Sequence, residues 1–549
     1  MTRKLWLSIA MLALGAGLLV AASFAGTAAS KTPKSTATAA KTGGTLNVEL
    51  DSDLDYMDPS LDYLSSGWEI QSAIQVKLFN YPDKNGAEGT QLQPEGALAL
   101  PKVSKDGKTY TFTIRPGFRF SDGKPVTAAN FAFAFQRAAD PKMESPATPF
   151  LADIVGAQDV IDGKASTISG ITAKGNTLVI KLIANAPDLL ARTSMSFFSA
   201  LPLGLPIDPR GVDTFASAGP YYVASRTPNK QIILKQNPYY KGPRPHNFTQ
   251  IVYTIGNTLE AIRLNVESGK SDYAASGLPS AAWAELAQKY GVNKSQVFVY
   301  PQLGVSYLAL NNERALFKGN LALRRAVNFA TDRHALVIQA GAFAGKRTDQ
   351  ILPPGMTGYR EASIYPIAGP NFAKAKQLAT GNTRDGHAVL YTTNRTADVL
   401  RAQIYQFDLK QIGLDVEVKQ FTRGVQIKKE GTRGEPFDMT TEGWIADYPD
   451  PFDFINILLS GDSLHDANNN NIAYFNDPAY NKKMRDAALL SGSQRYQTYG
   501  ALDVDIMKNA APWAPRYNFN DRIFVSKRIG CMTYPPAIAL VDIAALCLK

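Results

Sequence analysis

Apolar and polar residues alternate with a period of two over several short runs of this chain, and with a helical period over longer ones. Leu46, Val48 and Leu50 alternate with polar neighbours over 44–50, which predicts a first strand. Tyr110, Phe112 and Ile114 alternate with Thr109, Thr111 and Thr113, the pattern of a half-buried strand. Pro116-Gly117 and Ser121-Asp122-Gly123 turn the chain after it. Thr127 is placed to cap a helix whose Phe131, Phe135 and Ala138 share one face, and Asp140-Pro141 stops that helix. The same reasoning predicts a helix over 68–78, a strand over 177–182 and a strand opening a new region at 305–310.

From 388 onward the predicted order is strand (388–392), helix (396–412), strand (414–421), a short helix near 425–429 and a strand from Phe437. That is an α/β unit with parallel pairing. Two closing helices begin at Asp477-Pro478 and at Ser493. The last strand of the unit alternates through Phe437-Asp438-Met439-Thr440-Thr441, Gly443 ends the alternation, and Pro449 and Pro451 forbid further ladder pairing. Trp444, Asp447 and Tyr448 are therefore expected on a loop at the carboxyl end of a strand, where open α/β sheets hold ligands. An acid between two large aromatics suits a cation that also needs a flat apolar wall. The competing reading is an exposed acidic turn whose aromatics dip into the core.

The 549 residues, 45% hydrophobic and 19% charged, are enough for a large core and about three to four domains. The formal charge of +10 comes from scattered Lys and Arg with no basic arm and no nucleic-acid motif, so nucleic acid is not an expected partner. Arg3 and Lys4, the apolar run from Leu5 to Val20 and the small residues around Gly26-Thr27-Ala28-Ala29 read as an export signal over 1–29, with an uncleaved anchor as the alternative. No cysteine follows the run, so no lipid-anchor cysteine is expected. A Thr/Ala/Lys tract over 30–43 reads as a flexible linker. The two cysteines, Cys531 and Cys547, suggest a bridge in an exported protein, worth about 3 kcal/mol for a loop of this size; two buried free thiols are the alternative. With four histidines in the chain and none near the cysteines, neither a metal site nor a cofactor is expected.

Six motifs, in order, resemble extracellular solute-binding proteins of family 5, the oligopeptide and dipeptide receptors of ABC importers. They are Gly43-Gly44-Thr45-Leu46 with Asp58-Pro59, the run from Ser104 to Gly117, the run from Phe120 to Ala128, Gly219-Pro220-Tyr221, Arg324-Arg325-Ala326-Val327-Asn328 with Asp332-Arg333, and Gly443 to Pro451. The resemblance implies a periplasmic-binding-protein-like α/β fold: two large lobes around a hinged cleft and an inserted smaller third lobe. The implied lobes are lobe I from 44–75, 200–300 and 513–549, lobe II over 76–199, and lobe III over 301–512.

The resemblance also implies that Asp447 accepts the ammonium of a peptide N-terminus, with Gly443, Trp444, Ile445 and Tyr448 around the ligand. The implied partners are a short peptide and the permease and ATPase subunits of an importer, with the receptor a monomer outside the cytoplasmic membrane. Where some oligopeptide binders carry a basic residue two positions before the glycine, this chain has Thr441. An oligosaccharide or a chelated metal is the alternative solute. A secreted glycosidase-like enzyme using Asp447, Asp450 and Asp453 is the alternative from another class, and Ser121-x-x-Lys124 matches a serine-nucleophile pattern but sits in a turn.

Overall fold

The computed structural model describes residues 42–549. The export signal and residues 30–41 of the linker lie outside the described residues. Among the described residues no helix is long and apolar enough to cross a membrane.

Three sheets organise the described chain. In the first, the strand Thr45–Leu50 lies between Tyr273–Ala274 and Gln250–Ile255, parallel to both, and Gln231–Gln236 and Tyr221–Thr227 extend it antiparallel. Leu46, Val48 and Leu50 point inward and are buried, as their alternation predicts. The second sheet is a four-stranded antiparallel layer around Thr109–Thr113 and Thr177–Lys181. The helix Ala128–Ala139 covers it with Phe131, Phe135 and Ala138, and Asn130 Oδ1 accepts from the Thr127 N–H at 2.8 Å, half of a capping box.

The third sheet has six strands, in the order Gly345–Arg347, Trp513–Phe524, Val297–Leu310, Met439–Ile445, His387–Thr393 and Asp415–Phe421. The last three are the parallel unit that the sequence predicts, with the helices Thr396–Lys410 and Arg423–Glu430 as its connections. The predicted helix over 68–78 runs instead from Ser65 to Ile74; the chain is extended at Gln75, so Leu78 is buried beyond the helix.

Two long strands run side by side in the third sheet. Val297–Leu310 begins eight residues earlier than the pattern predicts, because Tyr300-Pro301-Gln302 interrupts the alternation. Trp513–Phe524 pairs along it antiparallel, with a register break between Pro301 and Val305. The boundary expectation groups 513–549 with the first sheet, yet Trp513–Phe524 belongs to the six-stranded sheet and reaches the first only through the bridge Tyr273↔Val525.

A buried ion pair ties the loop after the first strand to the helical layer. Arg137 Nη1 and Nη2 donate to the two carboxylate oxygens of Asp58 at 2.5 and 2.6 Å, and both side chains are fully buried. Ser60 Oγ and the Pro206 carbonyl satisfy the rest of the guanidinium. Near the C-terminus a disulfide joins Cys531 to Cys547, with Cα atoms 5.2 Å apart.

Candidate functional site

Met439–Ile445 pairs with the long strand through Ser306↔Gly443, Val305↔Trp444 and Gly304↔Ile445. The ladder thus runs through Gly443, where the alternation predicts a stop. Glycine is needed there for close approach: a Cβ would stand 2.5 Å from Cζ of Phe519. Beyond Ile445 the chain turns, and Pro451 caps the helix Phe452–Leu459.

Asp447, on that turn, opens onto a cleft of about 420 Å³. The cleft gathers Tyr63, Arg395, Arg423, Asp447, Phe519 and Leu540 from distant parts of the chain. Asp447 is half-buried. Its Oδ2 accepts the Tyr63 hydroxyl at 2.5 Å. Its N–H donates to Oδ2 of Asp453 at 3.0 Å, and Trp444 Nε1 donates to the same oxygen at 3.0 Å. Burial pushes the Asp447 carboxyl up to about 7, against the hydrogen bond from the Tyr63 hydroxyl that favours its charge. Burial and the Asp447 charge hold the Asp453 carboxyl far above the usual range. No ion pair among the described residues includes Asp447; the nearby guanidiniums of Arg423 and Arg495 are taken by Glu442 and Asp450. Tyr63 meets Trp444 edge-on at 5.7 Å and lies 5.8 Å from Trp68, so the carboxylate sits against an aromatic wall.

Residues 91–466 match the family model described as Bacterial extracellular solute-binding proteins, family 5 Middle. The chain belongs to family 5 of the bacterial extracellular solute-binding proteins. Curated relatives of this family 5 protein include the periplasmic oligopeptide-binding protein OppA of Salmonella typhimurium, 27% identical over 84% of this chain and 87% of that one. Another is the oligopeptide-binding protein OppA of Bacillus subtilis, 24% identical over 94% and 95%. Among solved structures, clavulanic acid biosynthesis oligopeptide binding protein 2 superposes with a TM-score of 0.82 at 22% identity, over 93% of this chain and 96% of that one. The Escherichia coli murein tripeptide binding protein MppA does so with 0.79 at 23% identity, over 93% and 99%. The fold is therefore periplasmic-binding-protein-like, with α/β lobes around a cleft.

Of the residues expected at the site of this family 5 protein, Gly443, Trp444, Ile445 and Asp447 line the cleft. Tyr448 does not. Its ring is fully buried against Phe150 at 6.3 Å, and its hydroxyl donates to Asp188 at 2.8 Å. The chain turns inward after Asp447, which lines the cleft, and carries Tyr448 into the core. The aromatics that flank the carboxylate are Trp444 and Tyr63. Asp450 also turns inward, paired with Arg495 Nη2 at 2.8 Å.

Charged residues outside the expected set also line the cleft. Arg423 is paired with Glu442, Nη1 to Oε1 and Nη2 to Oε2, the second contact at 2.9 Å. Burial opposes ionisation of Glu442, but the Arg423 guanidinium outweighs it and holds the carboxyl below its usual range. Arg516 is buried, donating through Nε to Ser306 Oγ at 2.6 Å and through Nη2 to the Glu442 carbonyl at 3.2 Å. None of the ion pairs among the described residues gives Arg516 a carboxylate partner; Glu442 is held by Arg423, and Asp398, whose carboxyl feels the Arg516 charge, is held by Arg401. Lys124, of the serine-nucleophile pattern, is exposed and pairs with Asp122 at 2.9 Å.

Proposed function

We propose that this protein is the receptor of an ABC importer, capturing short peptides between its lobes and delivering them to a membrane permease. The observation that carries this reading is the Asp447 carboxylate: it faces a cleft, receives a hydrogen bond from the Tyr63 hydroxyl, and has no cationic partner among the described residues. A charge in that state is costly until a cation joins it. The ammonium of a peptide supplies that cation and fixes the direction of binding. Arg516, the guanidinium without a carboxylate, gives the same cleft an opposite charge, which suits a zwitterion. Edge groups of the strand ending at Ile445 can pair with extended main chain irrespective of side-chain identity.

In this reading lobe I comprises 44–75, 200–300 and the tail after the long strands, lobe II 76–199 and lobe III 301–512. The two long strands cross between lobes I and III, and closure about them presents the bound form to the permease. The relatives' names as oligopeptide- and tripeptide-binding proteins support the solute class, and the periplasmic names among them support export. The site argues against a glycosidase. Asp453 is taken up by the Asp447 N–H and Trp444 Nε1, and Asp450 by Arg495, whereas the paired acids of such enzymes face each other across an open gap of about 5–9 Å. The mature protein, purified and denatured, should release short peptides identifiable by mass spectrometry. Release of oligosaccharides alone, or hydrolysis of added peptides, would reject the proposal.

A further inference from the structure

The C-terminal segment is a ring closed covalently at its base. Cys531 and Cys547 are bonded and face each other across a short antiparallel pair. The ring is held at several points by the rest of the molecule. Asn85 accepts from the Tyr534 N–H at 2.6 Å and donates to the Met532 carbonyl at 2.9 Å. The Tyr534 ring stacks on Tyr300 at 4.5 Å.

At the crown, Ala539 is buried with φ of 56°, its carbonyl accepting from Gln302 Nε2 at 3.1 Å and its N–H donating to the Pro535 carbonyl at 2.9 Å. A non-glycine residue in the left-handed region persists where surrounding contacts fix it. On either side of Ala539 stand Ile538 and Leu540, both half-exposed and both lining the cleft that holds Asp447. Ile445, two residues before Asp447, packs against the same core cluster as Tyr534 and Ala539. The wall of the cleft formed by the ring is thus aliphatic, next to the strand that leads to the carboxylate.

We propose that Ile538 and Leu540, presented by the disulfide-closed ring, are specificity-determining residues that take an aliphatic or aromatic side chain of the bound peptide. The inference rests on the peptide reading above. Two aliphatic side chains left open to water in a cleft gain by apolar contact and offer nothing to a polar group that must shed water to reach them. Discrimination of one apolar side chain from a polar one of similar size is then about tenfold or more.

The test is calorimetric titration of the mature protein with alanine tripeptides carrying one Leu or one Asn at each position in turn. The unaltered protein should favour Leu at one position by about tenfold. Ile538→Asn and Leu540→Asn should each reduce that preference with the Asn peptide bound about as before, and Ile538→Val should retain it. Asn variants with an unchanged Leu preference, or with both peptides weakened equally, would overturn the proposal. So would an unaltered protein that binds these peptides with no Leu preference anywhere, although the peptide reading would then stand. Binding of none of the peptides would remove the peptide reading and this inference together.

Discussion

The hydroxyl of Tyr63 donates to the carboxylate of Asp447 at 2.5 Å, joining positions 384 apart in the chain. The loop after the first strand thereby holds the acid that ends the strand of another sheet. With its own N–H donating to Asp453, Asp447 is oriented before any solute arrives, so less freedom is lost on binding.

Asp447→Ala should weaken binding of free-amine peptides by about 3 kcal/mol, roughly 100-fold, because the ammonium loses its partner in a partly dry site. N-acetylated peptides should lose far less. Titration calorimetry with both forms checks this, and equal losses would mean that Asp447 is not the acceptor of the ammonium. Tyr63→Phe should cost about 1.5–3 kcal/mol for the free-amine form, the range for a hydrogen bond to a charged group.

Affinity should depend on pH with a definite sign. An ammonium binds the ionised form of Asp447, and burial raises that carboxyl to about 7 in the empty protein. Affinity for free-amine peptides should fall by up to tenfold per pH unit below about 7. It should also fall above about 8, where the peptide amine itself loses its proton. Asp447→Asn should abolish the acid limb in a titration series from pH 5 to 8.

How much of this was legible before the structure depends on distance along the chain. The parallel unit from 387 to 445 follows from local alternation and turn residues, and so does the emergence of Asp447 at a strand end. Tyr63 was not legible, since its role is a contact across two sheets; its place at the close of the acidic loop 51–63 was the only signal. Tyr448 was misplaced because a turn has no fixed period from which to read facing. Trp513–Phe524 carries Pro515, Arg516, Asn518 and Asn520 in a strand, and these hide it from any alternation count. Arg516 and Asn518 are buried there by contacts with Ser306 and the Gly304 carbonyl that composition does not reveal.

Asp58→Ala should destabilise the protein by about 3–5 kcal/mol, because Arg137 would keep a buried charge without its partner. Asp58→Asn retains part of the hydrogen bonding and should cost less. Denaturant midpoints measured at neutral pH compare the two, and a negligible loss for the alanine variant would contradict the burial of this pair.

Stability should also rise as pH falls from about 8 toward 4.5. Glu69 is buried, accepts hydroxyls from Tyr253 and Tyr273, and is pushed by burial from 4.5 up to about 8 in the folded state. A carboxyl raised on folding favours the native state fully below its unfolded value, and the gain is lost as pH climbs through the folded value. Glu69→Gln should therefore flatten the slope by up to about 1.4 kcal/mol per pH unit across that window. Thermal melts of both proteins between pH 5 and 8.5 give the comparison, with Asp408 and Asp503, each near 7, sustaining the remaining slope.

The register break in the paired long strands sits where two contacts converge. Gln302 Nε2 donates to the carbonyl of Ala539, and the Leu303 carbonyl accepts from the N–H of Ala446 at 2.8 Å. A second register shift follows between Ser306 and Tyr307, so the irregular part of the ribbon spans 301–307. Because those same residues grip both the crown of the ring and the neighbour of Asp447, the aliphatic wall and the acid of the cleft are tied to one short stretch of backbone.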